Sequence, residues 1–192
     1  MSTTTVLLCG VGGQGTITAA DLLARVAIAA GIQVKVSEIH GMAQRGGSVT
    51  TTVRFGDEVN SMIADTGDCD FVVSFETTEA LRNLPFLKKG GKLIVSDETM
   101  KSMPVLIGLQ SMPENPHEQL NKFDALLIPA VEIATAAGTA KASNVALLGA
   151  LSTYLDFDTD IWTDVIAKRV PPKTIETNLK AFQDGRAFAQ AK

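Results

Sequence analysis

Residues 6–16 read Val-Leu-Leu-Cys-Gly-Val-Gly-Gly-Gln-Gly-Thr, an apolar run that passes directly into a glycine-rich turn. Gly10, Gly12 and Gly15 have the spacing G-x-G-x-x-G. Without side chains at these positions, a strand can turn sharply into a helix, and a ligand or a neighbouring chain can approach the backbone of the turn. Apolar residues with helical spacing follow, before Gly31: Ile17, Leu22, Leu23, Val26 and Ala27. The stretch therefore predicts a strand, a glycine turn and a helix.

The predicted turn places free N–H groups at the start of a helix, where the helix dipole favours negative charge. Phosphate or carboxylate is the expected ligand. The alternative is a closely packed turn that binds nothing. A Walker A lysine is absent, since Gly15 is followed by Thr16 and Ile17.

A second polar loop follows the next predicted strand, residues 33–37. Its polar residues are Glu38, Gln44 and Arg45, and its glycines are Gly41, Gly46 and Gly47. Ligands in open α/β sheets bind at the carboxyl edge, so we expect this loop to lie there beside the glycine turn. The planar donor fork of Arg45 suits a phosphate or carboxylate. Alternatively, an ion pair between Glu38 and Arg45 merely orders the loop.

Glu38 also allows a different interpretation. It lies somewhat more than 20 residues beyond the turn, where dinucleotide-binding folds place the acid that binds the ribose. An NAD-binding oxidoreductase domain is therefore an open alternative. A dehydrogenase also needs an acid or base in a substrate region, and no segment plainly supplies one. No G-x-S-x-G nucleophile elbow is present either.

Strand and helix patterns alternate along the rest of the chain. Strands are predicted at 49–55, 71–74, 92–96 and 125–128, with 59–63 as a hairpin partner of 49–55 after the turn at Gly56 and Asp57. Helices are predicted at 77–87, closed by Gly90 and Gly91, and then at 131–137, 144–154, 161–170 and 173–189. Residues 97–122 show little periodicity and are interpreted as irregular. The pattern predicts an α/β, Rossmann-like fold with a largely parallel sheet flanked by helices and a helical C-terminal part.

Composition limits the function classes. The chain has 192 residues, 45% of them hydrophobic, which is enough for one core, and we expect a single domain over residues 1–192. A net charge of −4 argues against nucleic-acid binding. Neither a membrane span nor a basic signal-peptide region is recognisable, so a cytoplasmic protein is expected.

The chain has two cysteines and two histidines. Cys9 ends a predicted buried strand, whereas Cys69 lies between two aspartates in a predicted turn. An iron–sulfur cluster needs about four cysteine ligands, so this chain alone cannot hold one. His40 and His117 are too isolated for a convincing zinc site. No metal is therefore expected on this chain.

Four stretches together resemble the gamma-type domain of the 2-oxoacid:ferredoxin oxidoreductases. The first two are residues 10–16 and residues 37–49, Ser-Glu-Ile-His-Gly-Met-Ala-Gln-Arg-Gly-Gly-Ser-Val. Residues 144–150, Asn-Val-Ala-Leu-Leu-Gly-Ala, and residues 178–185, Asn-Leu-Lys-Ala-Phe-Gln-Asp-Gly, fit the same pattern. The second stretch is similar in particular to the small beta subunit of the indolepyruvate-type members. The resemblance spans nearly the whole chain.

The resemblance implies a function. In this family a 2-oxoacid is decarboxylated on thiamine diphosphate, electrons pass through iron–sulfur clusters to ferredoxin, and coenzyme A takes up the acyl group. It implies a large alpha subunit that carries the thiamine diphosphate and the clusters, contact with ferredoxin through the complex, and an inactive isolated chain. It also implies contacts to the phosphates of coenzyme A from Gly10, Gly12, Gly13, Gln14, Gly15 and Thr16. It identifies no catalytic residue.

Alternatives remain within this interpretation. The 2-oxoacid is indolepyruvate or another aryl pyruvate, or else pyruvate, 2-oxoglutarate or a branched-chain oxoacid. The glycine turn binds coenzyme A or packs against the large subunit. Residues 144–154 are rich in Ala, Leu and Gly and predict a flat apolar face, so a homodimer is expected when the chain is purified alone.

Overall fold

The computed structural model describes residues 3–41, 46–101 and 103–192. Its centre is a six-stranded sheet in the order β2-β3-β1-β4-β5-β6. The strands are β1 (Thr4–Val11), β2 (Gln33–His40), β3 (Ser48–Gly56), β4 (Cys69–Ser74), β5 (Leu87–Ser96) and β6 (Leu126–Ile128).

The sheet is largely parallel, as predicted, because β3 alone runs against the other strands. β1, β4, β5 and β6 pair in parallel, while β3 is antiparallel to both β1 and β2. The predicted hairpin between 49–55 and 59–63 is wrong. The alternating run of β3 pairs on both of its edges instead, with Val53 opposite Val6 and Val36. Residues 59–63 form no strand.

Helices cover both faces of the sheet. They are α1 (Thr16–Ala29), α2 (Thr77–Asn83), α3 (Met103–Leu106), α4 (Pro116–Asn121), α5 (Ala130–Ala137), α6 (Ser143–Ser152), α7 (Thr159–Arg169) and α8 (Ile175–Gln190). In β1, Val6 and Leu8 pack in the core with α1 and α5–α8, whereas Leu7 and Cys9 pack in a second core with α2 and α4. Side chains alternate across a strand, so α1 and α2 lie on opposite faces.

The C-terminal part is helical, as predicted, and its centre is the crossing of α6 and α8. A Cβ at Gly149 would lie 2.1 Å from the Phe182 oxygen, and a Cβ at Gly185 would lie 2.1 Å from the Ala146 oxygen. The two glycines thus let the backbones touch. Nearly all of α6 is buried within the chain, because it packs against α5, α8 and the sheet. The predicted free apolar face at 144–154 is therefore wrong.

Several local predictions also need correction. Gly90 and Gly91 lie within β5 rather than at a helix end, and a Cβ at Gly91 would lie 2.8 Å from the Asp70 oxygen on β4. α2 ends at Asn83, before a 3-10 turn at Leu84–Phe86. The segment predicted as irregular contains α3 and α4. Cys69 is buried at the start of β4 instead of lying in a turn, and Ile17 is exposed. Of the helices described, none has the length and apolar character to cross a bilayer.

Candidate functional site at the carboxyl edge of the sheet

The glycine turn joins β1 to α1 and is stabilised from within. Gln14 Oε1 accepts a hydrogen bond from the Val11 N–H at 2.7 Å, and Gln14 Nε2 donates to the Phe75 carbonyl at 3.1 Å. Gly13 and Gly15 have φ values of 108° and 87°, which side chains disfavour. A Cβ at Gly10 would lie 2.7 Å from Gln14 Oε1. Gln14 therefore ties the turn after β1 to the end of β4.

The described end of the second polar loop, Gly46 and Gly47, lies beside this turn, as predicted. The Gly12 N–H donates to the Gly47 carbonyl at 2.8 Å, and the Gly46 N–H donates to the Gly12 carbonyl at 3.3 Å. Arg45, with the rest of 42–45, falls outside the described residues, and so does the predicted ion pair between Glu38 and Arg45. Gly46 and Gly47 thus brace the first turn through their backbone.

Two cavities flank the glycine turn. The smaller has a volume of about 450 Å³. Its lining residues are Gly12, Gly13, Gly15, Thr16, Ile17, Thr18, Glu38, His40 and Val49. Glu38 is on β2, and β3 separates β2 from β1. In dinucleotide-binding folds strand 2 is the direct neighbour of strand 1. The position of Glu38 therefore differs from that of a ribose-binding acid.

The larger cavity is a cleft of about 1020 Å³ at the carboxyl ends of β1, β4 and β5. Gly13, Gln14 and Gly15 line it after β1, Phe75 after β4, and Glu98 after β5. The helix that follows β1 lies on one face of the sheet and the helix that follows β4 lies on the other. This divergence is the topological switch point at which open α/β sheets bind ligands.

The remaining lining comes from the C-terminal half of the chain. Asn144, at the start of α6, donates through Nδ2 to the Gly15 carbonyl at 3.4 Å, so the first turns of α1 and α6 meet at the cleft. Asn178 also lines the cleft. The amino-terminal ends of both helices thus reach one cavity, through Gly15 and Thr18 of α1 and through Ser143, Asn144 and Val145 of α6. Such an arrangement favours anions.

Lys141 and Lys173 line the same cleft and were not predicted. Both side chains are exposed. Within ranges 3–41, 46–101 and 103–192, neither ammonium group has an ion pair, whereas Lys88, Lys92 and Lys180 do. No sequence motif links these lysines to the glycine turn, because they lie far from it along the chain. The position of Lys141 just before a predicted helix was the one sequence feature that could have indicated a site.

Of the predicted site residues, Gly10, Gly46 and Gly47 contact the turn but are not among the described residues that line either cavity. Burial raises the pKa of the Cys9 thiol to about 12, and burial also raises the pKa of Cys69 to about 12. Both thiols are therefore protonated at neutral pH and are poor metal ligands. In the described part of the chain, no group of three or more His, Cys, Asp or Glu side chains is placed to hold a metal ion.

Comparison with known proteins decides the family. Residues 5–188 match the sequence model of the family described as pyruvate ferredoxin/flavodoxin oxidoreductase. The chain belongs to this family. The resemblance noted in the sequence is thereby confirmed.

Members of the family align with the chain almost end to end. It is 40% identical to the indolepyruvate oxidoreductase subunit IorB of Pyrococcus horikoshii, over 94% of this chain and 93% of that protein. Identity to the IorB protein of Archaeoglobus fulgidus is 37%, with coverages of 94% and 92%. The ketoisovalerate oxidoreductase subunit VorA of Methanothermobacter marburgensis is 28% identical, and the match spans 96% of this chain but 36% of VorA.

Solved structures support the fold. The gamma subunit of a keto/oxoacid ferredoxin oxidoreductase from Geobacter sulfurreducens superposes with a TM-score of 0.74 at 23% identity, over 98% of this chain and 99% of that chain. A 2-oxoglutarate:ferredoxin oxidoreductase from Magnetococcus marinus, solved with 2-oxoglutarate, coenzyme A and succinyl-CoA, gives 0.75 at 22% identity. It is matched over 100% of this chain and 32% of its own. Both solved structures share the α/β fold found here.

Proposed function

We propose that this chain is the small subunit of an indolepyruvate:ferredoxin oxidoreductase, which converts aryl pyruvates to acyl-coenzyme A and passes the electrons to ferredoxin. The observation that carries the proposal is the 40% identity to an indolepyruvate oxidoreductase subunit over 94% of this chain and 93% of that protein. Coverage of both chains means that the similarity extends over nearly the whole length of that subunit. Residues 1–192 then act as one gamma-type domain.

The cofactors that perform decarboxylation and electron transfer are assigned to a large partner subunit. Thiamine diphosphate would supply the carbanion chemistry there, and iron–sulfur clusters the electron path. The chemistry of this chain fits that division, because its two cysteines are fewer than the four ligands of a cluster and both are buried.

Coenzyme A is the ligand that this chain is proposed to contact. Its phosphates fit the cleft at the switch point, where Gly13, Gln14 and Gly15 lead into α1 and line the cavity. The N–H groups and dipole of that helix favour negative charge, and Lys141 and Lys173 add two cationic side chains. The cleft is preferred to the smaller cavity because Lys141 and Lys173 outnumber its one carboxylate, Glu98. The described lining of the smaller cavity has the Glu38 carboxylate and no lysine or arginine, so it would repel a phosphate.

The proposal is tested with the assembled complex. The chain is co-expressed with the large subunit encoded by the same source, and ferredoxin reduction is measured with indolepyruvate, pyruvate, 2-oxoglutarate and a branched-chain oxoacid. We expect the highest kcat/KM for indolepyruvate and a strict requirement for coenzyme A in acyl formation. The large subunit alone is the control. A higher kcat/KM for any of the other three oxoacids would assign the complex to another substrate.

A further inference from the structure

Glu79 is a carboxylate buried beneath the two glycine loops. It lies on α2 and is 4% exposed. Its Oε2 accepts a hydrogen bond from Ser48 Oγ at 2.5 Å, and its Oε1 lies 3.2 Å from Arg82 Nε. A buried carboxylate is unfavourable unless it is paired and hydrogen-bonded. The hydrogen bond from Ser48 is charge-assisted and therefore stronger than one between neutral groups.

Independent contacts hold Glu79 in place. Its N–H donates to the Glu76 carboxylate, which caps the start of α2. Its carbonyl accepts from Asn83 Nδ2 at 2.9 Å and from Cys9 Sγ at 3.7 Å. Cys9 directly precedes Gly10 in β1. The Glu79 backbone is thus anchored both to its own helix and to the central strand, whether or not Ser48 is bound.

Ser48 connects this anchor to the glycine turn. It is the first residue of β3 and stands opposite Val11 in the register of β1. The residue before it, Gly47, accepts the hydrogen bond from the Gly12 N–H at 2.8 Å. The Glu79 carboxylate is therefore linked to Gly12 through one side-chain hydrogen bond, one peptide unit and one backbone hydrogen bond.

We propose that Glu79 is a positioning residue for anion binding, which holds the glycine turn in its binding conformation through Ser48 and Gly47. This inference rests on the proposed function of the turn as the site for the phosphates of coenzyme A. Without the hydrogen bond from Ser48, the start of β3 loses its side-chain anchor and keeps only its backbone pairing with Val11. The Gly47 carbonyl then fixes the Gly12 N–H less firmly. The turn then has to be ordered when the ligand binds, and the free-energy cost of this ordering weakens binding.

The test uses the assembled complex and the variants Ser48→Ala, Ser48→Thr and Glu79→Gln. We expect Ser48→Ala to raise the KM for coenzyme A about 10- to 100-fold, the order of magnitude for a lost hydrogen bond to a charged group. The kcat at saturating coenzyme A and cluster reduction by the oxoacid alone should stay unchanged. Ser48→Thr keeps the hydroxyl and should restore the wild-type KM. Glu79→Gln keeps an acceptor for Ser48 without its charge, so a smaller increase is expected.

Ser152→Ala is the matched control. Ser152 is buried, donates to the Gly149 carbonyl and accepts from Arg186 Nη1 at 2.7 Å, at the C-terminal end of α6. Its replacement also removes a buried hydroxyl that bonds a charged group, but it should leave the KM for coenzyme A unchanged. Hydrogen exchange at the Gly12 amide should be faster in Ser48→Ala and unchanged in Ser152→Ala.

The outcomes separate this inference from the function on which it rests. If Lys141→Ala raises the KM for coenzyme A while Ser48→Ala and Glu79→Gln do not, the positioning role is overturned and the binding site stands. If none of the three changes it, the site itself is overturned. Equal effects of Ser48→Ala, Ser48→Thr and Ser152→Ala would also overturn the inference, because they would reflect a general loss of stability.

Discussion

Lys141 and Lys173 carry the first residue-scale prediction. Both line the cleft and neither has an ion pair in the described part of the chain. Replacing either by Ala should raise the KM for coenzyme A by about 2- to 10-fold, because an exposed ammonium–phosphate contact contributes roughly 0.5–1.5 kcal/mol. The effect should shrink at high ionic strength, since salt screens exposed charges. Steady-state kinetics of the assembled complex measures both.

Lys122→Ala is the control, because Lys122 is exposed, is unpaired in the described ranges and follows α4 outside the cleft. An equal effect of all three substitutions would show that the overall charge matters and that the cleft does not.

Asp21 is the basis of a pH prediction. Burial would raise its pKa, but hydrogen bonds from Arg25 and Arg169 outweigh burial and hold the pKa below its usual value. A lowered pKa in the folded state stabilises the protein above the pKa of the unfolded state, and that stability is lost as the pH falls through the folded value. Asp21→Asn should therefore lower the free energy of unfolding by about 0.5–1 kcal/mol at pH 7.

The difference between Asp21→Asn and the wild type should vanish in strong acid, where the wild-type carboxyl is protonated as well. Urea titration at several pH values measures it. Asp164→Asn is the control, since its pair with Lys168 is 3.8 Å apart and both side chains are exposed. A pH-independent loss in Asp21→Asn would contradict the electrostatic explanation.

Among the elements, α6 and α8 depend most on close backbone contact. Gly185→Ala would place a Cβ 2.1 Å from the Ala146 oxygen. Ala favours helices by about 1 kcal/mol over Gly, but forced separation of the two helices costs more. We expect a net loss of about 1–3 kcal/mol of unfolding free energy. Gln183→Ala, at an exposed position of the same helix, should change stability little. Denaturant unfolding compares the two, and a stabilised Gly185→Ala would show that the crossing relaxes readily.

Some elements of the fold could be predicted from the sequence and others could not. The α/β class, the glycine turn and the helical C-terminal part follow from local periodicity and turn chemistry, and each is confirmed. The insertion of β3 between β1 and β2 was missed, because an alternating run reports which face is buried and not which strand is the neighbour. Lys141 and Lys173 were missed because local sequence patterns do not report contacts between distant segments. These two residues line the cleft beside the glycine turn only after the chain has folded.

At the scale of the whole molecule, the isolated chain should be colourless and inactive. It has two cysteines, both buried. A chain without a cluster shows no broad visible absorbance and no stoichiometric iron. Absorbance and iron analysis of the purified chain measure this, with the complex as the positive control. Stoichiometric iron in the chain alone would contradict the division of cofactors between the subunits.

Assembly is a separate whole-molecule prediction. Relatives of equal length are named as subunits, so we expect co-expression with the large subunit to give a heteromer. The chain alone is expected to form a homodimer, although α6 is buried and another surface has to supply the contact. Sedimentation of the chain with and without the large subunit measures both. A chain that stays monomeric and does not bind the large subunit would contradict the prediction.

The contact between Gly15 and Asn144 joins residues that are 129 positions apart, and this has a consequence for synthesis in the cell. At 5–20 residues per second, roughly 6–26 seconds separate the emergence of the glycine turn from that of Asn144. During that interval the nascent chain carries the turn but not its C-terminal surroundings. The ligand can thus stabilise only the finished chain. An amino-terminal fragment that lacks the C-terminal lining of the cleft should not bind the ligand with the affinity of the full chain.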